Sequence, residues 1–163
     1  MSESIDFKKI SEHAGPEKSP GFLLWRVSTS WRNFIESALK QFELTHPQFV
    51  ILASLGWLTR KEDLVSQARV GKMAGIDPNT TSQIIRGLEK KKFIYREPSS
   101  DGRVKNPLLT QKGKEVLSKA LPAVESEDHH FFKRLSKPEV ESLLLLFEKL
   151  VECESSRSAK ING

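Results

Sequence analysis

The sequence predicts a mainly α (α+β) fold, with two short helices and one β-hairpin set between long helices at the two ends of the chain. Three observations point there. Apolar residues recur at helical spacing over most of the 163 residues. Strand character is confined to the segment from Phe93 to Leu109, which carries Asp101-Gly102 as a hairpin signal. Large apolar residues crowd toward the chain ends, whereas the excess of positive charge lies in the middle.

Residues 1–19 are polar and end in Gly15-Pro16 and Pro20-Gly21, the mark of a flexible arm. From Phe22 to Phe42 the spacing of Leu24, Val27, Trp31, Phe34, Ile35, Ala38 and Phe42 predicts one long amphipathic helix, within a segment 20–43. Thr45, with Gln48 three residues on, is a capping box for a second helix through Phe49, Leu52 and Leu55. Ser66 is the expected N-cap of a short helix that stops at Gly75. Asp77 caps the next, with Pro78 at its first position, where a missing N–H costs nothing.

That helix runs to about Lys91. Phe93–Glu97 and Arg103–Leu109 then form the hairpin, with Pro107 limiting the second strand's pairing to one edge. Thr110 caps a long helix that Pro122 should kink, and Ser136 with Glu139 opens the last helix. Its run Leu143 to Leu146 is apolar on every side, more than a surface helix needs. The tail, 154–163, is polar and expected to be flexible. Two short helices joined by a tight turn make a helix-turn-helix. The fold class is therefore a winged helix-turn-helix lobe, 44–110, carried between dimerisation helices at 20–43 and 111–153.

Composition narrows the function. Apolar residues are 37% of the chain, low for a self-contained globule, so apolar surface should be shared with a partner chain. The single cysteine, Cys153, permits no internal disulfide; flanked by Glu152 and Glu154, it reads as structural. The N-terminus lacks a signal-peptide pattern, and no apolar run approaches the roughly 18 residues of a membrane span, so a cytoplasmic location is expected. Ser66 to Thr110 carries nine basic and four acidic residues, which accounts for the whole net charge of +5. A localised positive field suits a polyanion.

Enzyme chemistry finds no support. There is no Gly-rich phosphate loop, nucleophile elbow or distinctive carboxylate pair. His13, His46, His129 and His130 form no H-x-x-x-H pair, and neither a metal nor a cofactor is expected.

The helix from Asp77 carries the functional signal. Thr81, Ile84, Ile85 and Leu88 share its core-facing side, while Asn79, Gln83, Arg86 and Lys90 share the other, flanked by Thr80 and Ser82. Asn and Gln pair with adenine edges, Arg with guanine, and Thr meets a thymine methyl. The contact set is thus Asn79, Thr80, Thr81, Ser82, Gln83, Arg86 and Lys90, with Ser66 and Gln67 from the preceding helix. The hairpin adds Arg96, Ser99, Ser100, Asp101, Arg103 and Lys105, of which Arg103 suits a narrow minor groove. Two-fold association through Trp31, Phe34, Phe131, Leu143, Leu144, Leu146 and Phe147 would bury the apolar ends. The partners expected are double-stranded DNA and a second copy of the chain; the competing reading is a winged-helix module for RNA or a protein.

Asp77 to Lys91, and above all Asp101-x-Arg103, five residues, Leu109-Thr110 and then Gly113, resemble the helix-turn-helix and wing of MarR-type regulators. The resemblance spans about Phe22 to Val151. It implies a homodimer joined through its first and last two helices, a recognition helix in the major groove, a wing arginine in the minor groove, and response to a small ligand, often an aromatic acid, or to oxidation or metal. Trp57, at the junction between lobe and end helices, is the aromatic that would line such a pocket. Lys92 departs from the pattern, standing where the family often has glycine.

Overall fold

The structure, a computed structural model, describes residues 5–61, 64–98 and 105–161. The order is α1 (Phe7–Ile10), α2 (Pro20–Leu39), α3 (His46–Leu58), α4 (Gln67–Ala74), α5 (Pro78–Lys90), β1 (Ile94–Pro98), β2 (Lys105–Leu109), α6 (Gln111–Phe132) and α7 (Lys137–Ile161). The chain divides into two compact units, residues 1–127 and 128–163.

In the first unit the local signals take the positions their chemistry demands. Ser19 caps α2 by accepting from Phe22 N–H, and Thr45 with Gln48 forms a complete capping box on α3. Ser66 and Asp77 cap α4 and α5. The first long helix is shorter than its apolar spacing implies: it ends at Leu39, a 3₁₀ turn follows over Lys40–Phe42, and Glu43 closes it in the left-handed region. The core joins Ile35 and Leu39 of α2, Phe49, Ile51, Leu52 and Leu55 of α3, Val70 of α4, Ile85 and Leu88 of α5, and Ala120 and Val124 of α6. Phe93 and Ile94 close it from the hairpin side.

Between α5 and β1 the chain turns through a Schellman motif. Phe93 N–H bonds to Leu88 C=O at 3.0 Å and Lys92 N–H to Glu89 C=O at 2.8 Å, while Lys92 takes φ +62°. The antiparallel pair β1–β2 has Ile94 opposite Leu109 and Arg96 opposite Pro107. Thr110 N–H bonds to Phe93 C=O, so every second pair from there exchanges hydrogen bonds, and Arg96/Pro107 falls between them. The Pro107 nitrogen therefore faces away from β1, and the hairpin loses no rung to it.

Thr110 caps α6, accepting from Gly113 N–H at 2.9 Å. A Cβ on Gly113 would collide with the Phe93 carbonyl, so only glycine lets the helix lie against the strand here. The helix continues past Pro122, which removes one rung from its ladder.

In the second unit, Glu139 accepts from both the N–H and the hydroxyl of Ser136 at the start of α7. That helix runs to Ile161, past the boundary expected at residue 154, because nothing before Gly163 breaks it. Leu144, Leu145 and Leu146 stand 56–61% exposed, and Leu150 and Val151 are exposed with them. Among the described residues no helix is long and apolar enough to cross a membrane.

Candidate nucleic-acid interface

Helices α4 and α5 meet at a tight turn in which Gly75 takes the left-handed conformation. Asp77 then opens α5 by accepting from Thr80 N–H at 3.0 Å. Hydrogen bonds from Thr80, its hydroxyl first and its backbone second, hold the Asp77 carboxyl below the usual carboxylate range. Asn79, Thr80, Gln83, Arg86 and Lys90 are all exposed on this helix, and Ser82 is half-buried. Arg86 is braced on its own helix, its Nε donating to Ser82 C=O at 3.3 Å.

Two expected contact residues have other work. Thr81 is fully buried. Its Oγ1 donates to Ile76 C=O at 3.2 Å and locks the turn between the helices, so it is not available to a base. Arg96 is half-buried and paired with Glu89, its Nη2 lying 2.5 Å from Oε2. Hydrogen bonding to Glu89 raises its already high pKa and keeps it charged, and the side chain ties β1 to α5 instead of projecting as a phosphate contact. Ser66 is half-buried, its oxygen accepting from Arg69 N–H at 3.3 Å, and Gln67 beside it is also half-buried. Lys105 stands opposite Pro98 in the hairpin register. Ser99, Ser100, Asp101 and Arg103 lie outside the described residues.

Sequence reasoning missed Lys91. Counted among the central positive charges, it in fact donates to Glu43 C=O and, at 2.8 Å, to Gln48 Oε1, fastening the end of α5 to the start of α3. Lys112 in turn donates to Lys91 C=O at 3.2 Å. The periodic pattern carries no trace of such pairs, which join residues more than twenty positions apart.

Trp57 is exposed, with the Arg60 guanidinium 3.5 Å from its ring centroid. A cleft of about 500 Å³ lies at the end of α2, lined by Phe42, Phe93 and Val116 together with two lysines, Lys112 and Lys119, and two glutamates, Glu43 and Glu115. Lys112 Nζ sits 4.9 Å from the Phe93 ring centroid. Among the described residues no group of three or more His, Cys, Asp or Glu could hold a metal ion.

Comparison with known proteins places this architecture. The model of the MarR family matches residues 44–105. An uncharacterised HTH-type transcriptional regulator of Bacillus subtilis, YdcH, is 38% identical over 130 residues, covering 79% of this chain and 88% of its own. The HTH-type transcriptional repressor Rv2887 of Mycobacterium tuberculosis is 30% identical over 131 residues, covering 80% of this chain and 91% of its own. The structure of Rv2887 with DNA superposes with a TM-score of 0.61 at 26% identity, covering 81% of this chain and 97% of that one. Its salicylic acid complex gives 0.61 at 28%, covering 81% and 96%. BpsR of Bordetella bronchiseptica shares the fold, with a TM-score of 0.75 at 23% identity over 86% of this chain and 99% of its own. With relatives of 30% and 38% identity aligned along most of its length, the chain belongs to the MarR family and is a DNA-binding transcriptional regulator, not an enzyme.

Proposed function

We propose that the chain acts as a homodimer on a pseudo-palindromic operator in a bacterial cytoplasm, with α5 in the major groove and Arg103 of each wing in the flanking minor groove. The observation that carries this reading is the exposed face of α5. It presents Asn79, Gln83, Arg86 and Lys90, while the helix's only carboxylate, Glu89, is occupied by Arg96. Such a face reads base edges in B-form DNA; the deep, narrow major groove of RNA does not admit a helix. Two such helices about 34 Å apart read half-sites one turn apart on the same side of a duplex.

The effector reading draws on the cleft at the end of α2. Phe42, Phe93 and Val116 give an aromatic ring apolar contact, Lys112 and Lys119 give its carboxylate a counter-charge on a lining that Glu43 and Glu115 otherwise balance, and the volume is that of a small-ligand site. Lys112 joins the cleft to the end of α5 through Lys91, so an occupant that displaces Lys112 disturbs the recognition helix. Rv2887 has been crystallised with salicylic acid, which makes salicylate the first ligand to try.

Selection of bound sequences from a random duplex pool tests the operator. The expected result is a two-fold-related site for which the logarithm of the binding constant falls linearly with log salt. Equal affinity for single-stranded RNA of the same length would remove the reading. Salicylate titrated into the complex should release the duplex, and Lys112→Ala should blunt that release.

A further inference from the structure

Glu89 is the only acidic residue in α5, on a helix that otherwise suits a polyanion. It is joined to Arg96, on the first strand of the hairpin, by a contact of 2.5 Å with both side chains less than a third exposed. The pair spans the Schellman turn at Lys92 and links two rigid elements, the recognition helix and β1. Arg96 Nε is buried and has no hydrogen-bond partner among the described residues. A partly buried ion pair is a poor source of stability, because desolvation offsets its attraction. What the pair does supply is geometry: a charged tie with one end on each element restricts the angle between them.

We propose that Glu89 and Arg96 are positioning residues for DNA recognition, setting the wing against α5 so that both engage one duplex at once. The proposal rests on the reading that the wing enters a groove. It makes a prediction opposite in sign to simple electrostatics. Removing a carboxylate beside a polyanion should strengthen binding everywhere. Removing a positioning carboxylate should weaken binding only where geometry matters, on the specific site.

The test compares a duplex bearing the selected site with a random-sequence duplex of equal length, for the parent, Glu89→Gln, Arg96→Lys and the swap Glu89→Arg with Arg96→Glu. Urea midpoints are measured in parallel. Glu89→Gln should bind the selected site about tenfold more weakly, lose its preference for A·T-rich flanks, and bind random duplex at least as well as the parent. Arg96→Lys, which keeps the charge but loses the planar fork, should fall between parent and Glu89→Gln. The swap, which leaves net charge unchanged, should recover the ratio of specific to random affinity. If Glu89→Gln tightens both duplexes, the carboxylate is merely repulsive and the proposal fails. It fails equally if selected-site affinity drops only in step with stability while flank preference survives. Arg103→Ala separates the two readings: if the parent and that variant show the same flank preference, the wing does not enter a groove, while recovery of the ratio by the swap still reports on the pair.

Discussion

The Thr110 hydroxyl donates to the Lys92 carbonyl at 2.7 Å, tying the first residue after the hairpin to the residue that turns the chain into it. Lys92 holds φ +62°, a left-handed conformation that costs an L-residue roughly 1–2 kcal/mol. Lys92→Gly removes that strain but adds freedom to the unfolded chain, worth about 0.4–1 kcal/mol in the opposite direction. The expected net effect is a gain of about 0.5–1 kcal/mol. A urea midpoint that rises at unchanged slope checks it; a fall would mean that the lysine side chain makes a stabilising contact.

Gly113→Ala gives the reverse outcome. In an exposed helix this change stabilises by about 1 kcal/mol. Here the added methyl meets the Phe93 carbonyl at the point where Thr110 N–H also bonds, so helix and strand must separate. Overpacking of this kind costs roughly 1–3 kcal/mol. Thermal unfolding of the variant should come earlier than that of the parent, and an unchanged midpoint would show that α6 shifts freely.

These two positions show what was legible in the chain and what was not. Stops and starts that depend on one residue and its immediate neighbours were readable: Thr45 with Gln48, Ser66, Gly75, Asp77 and Thr110 all lie where their chemistry put them. The turn at Lys92 was legible only through the family resemblance, which often has glycine there, because lysine itself does not announce a left-handed residue. Thr81 shared the spacing of Ile84, Ile85 and Leu88, but its hydroxyl suited DNA as well; only packing decided that it faces inward. The partners of Arg96 and Lys91 were hidden for a different reason. Which of nine central cations reach solvent depends on contacts between elements, and composition counts them all alike.

Arg86→Ala tests the reading face of α5. The side chain is exposed and braced by Ser82 C=O, a geometry that presents the guanidinium with little loss of freedom on binding. Its removal should weaken specific binding by about 1–3 kcal/mol and relax one operator position. Binding isotherms on single-base operator variants measure both. A uniform loss across all variants would assign Arg86 to a phosphate instead.

The Asp77 cap carries a pH signature. Its carboxyl is held below the usual range in the folded protein, so its contribution to stability is present above the unfolded pKa of about 4 and is lost as the pH falls through the lowered folded value. Asn at this position caps without titrating. The stability difference between the parent and Asp77→Asn should therefore stay flat from neutral pH down to about 5 and shift against the parent below about 4. Urea titrations at several pH values decide it; parallel curves throughout would mean that the cap does not depend on charge.

The dimer is tested most sharply on α7. Leu144 is 57% exposed and Leu146 56%, and successive side chains of the leucine run point about 100° apart around the helix. No single packing face within one chain can take all four. Substituting an exposed side chain of a monomer usually changes stability by less than about 0.5 kcal/mol. Leu144→Asp should then leave a monomeric protein folded and active. In a dimer joined through α7 the same change places an unpaired carboxylate in an apolar interface, which is strongly destabilising for association. Sedimentation should show the parent at twice the 18.5 kDa chain mass and Leu144→Asp at the single mass, with helical content retained. Affinity for a two-half-site duplex should collapse toward that for one half-site, because the second contact is no longer tethered to the first. A parent that sediments as a folded 18.5 kDa monomer at micromolar concentration removes the two-fold operator model and leaves α5 reading a single site.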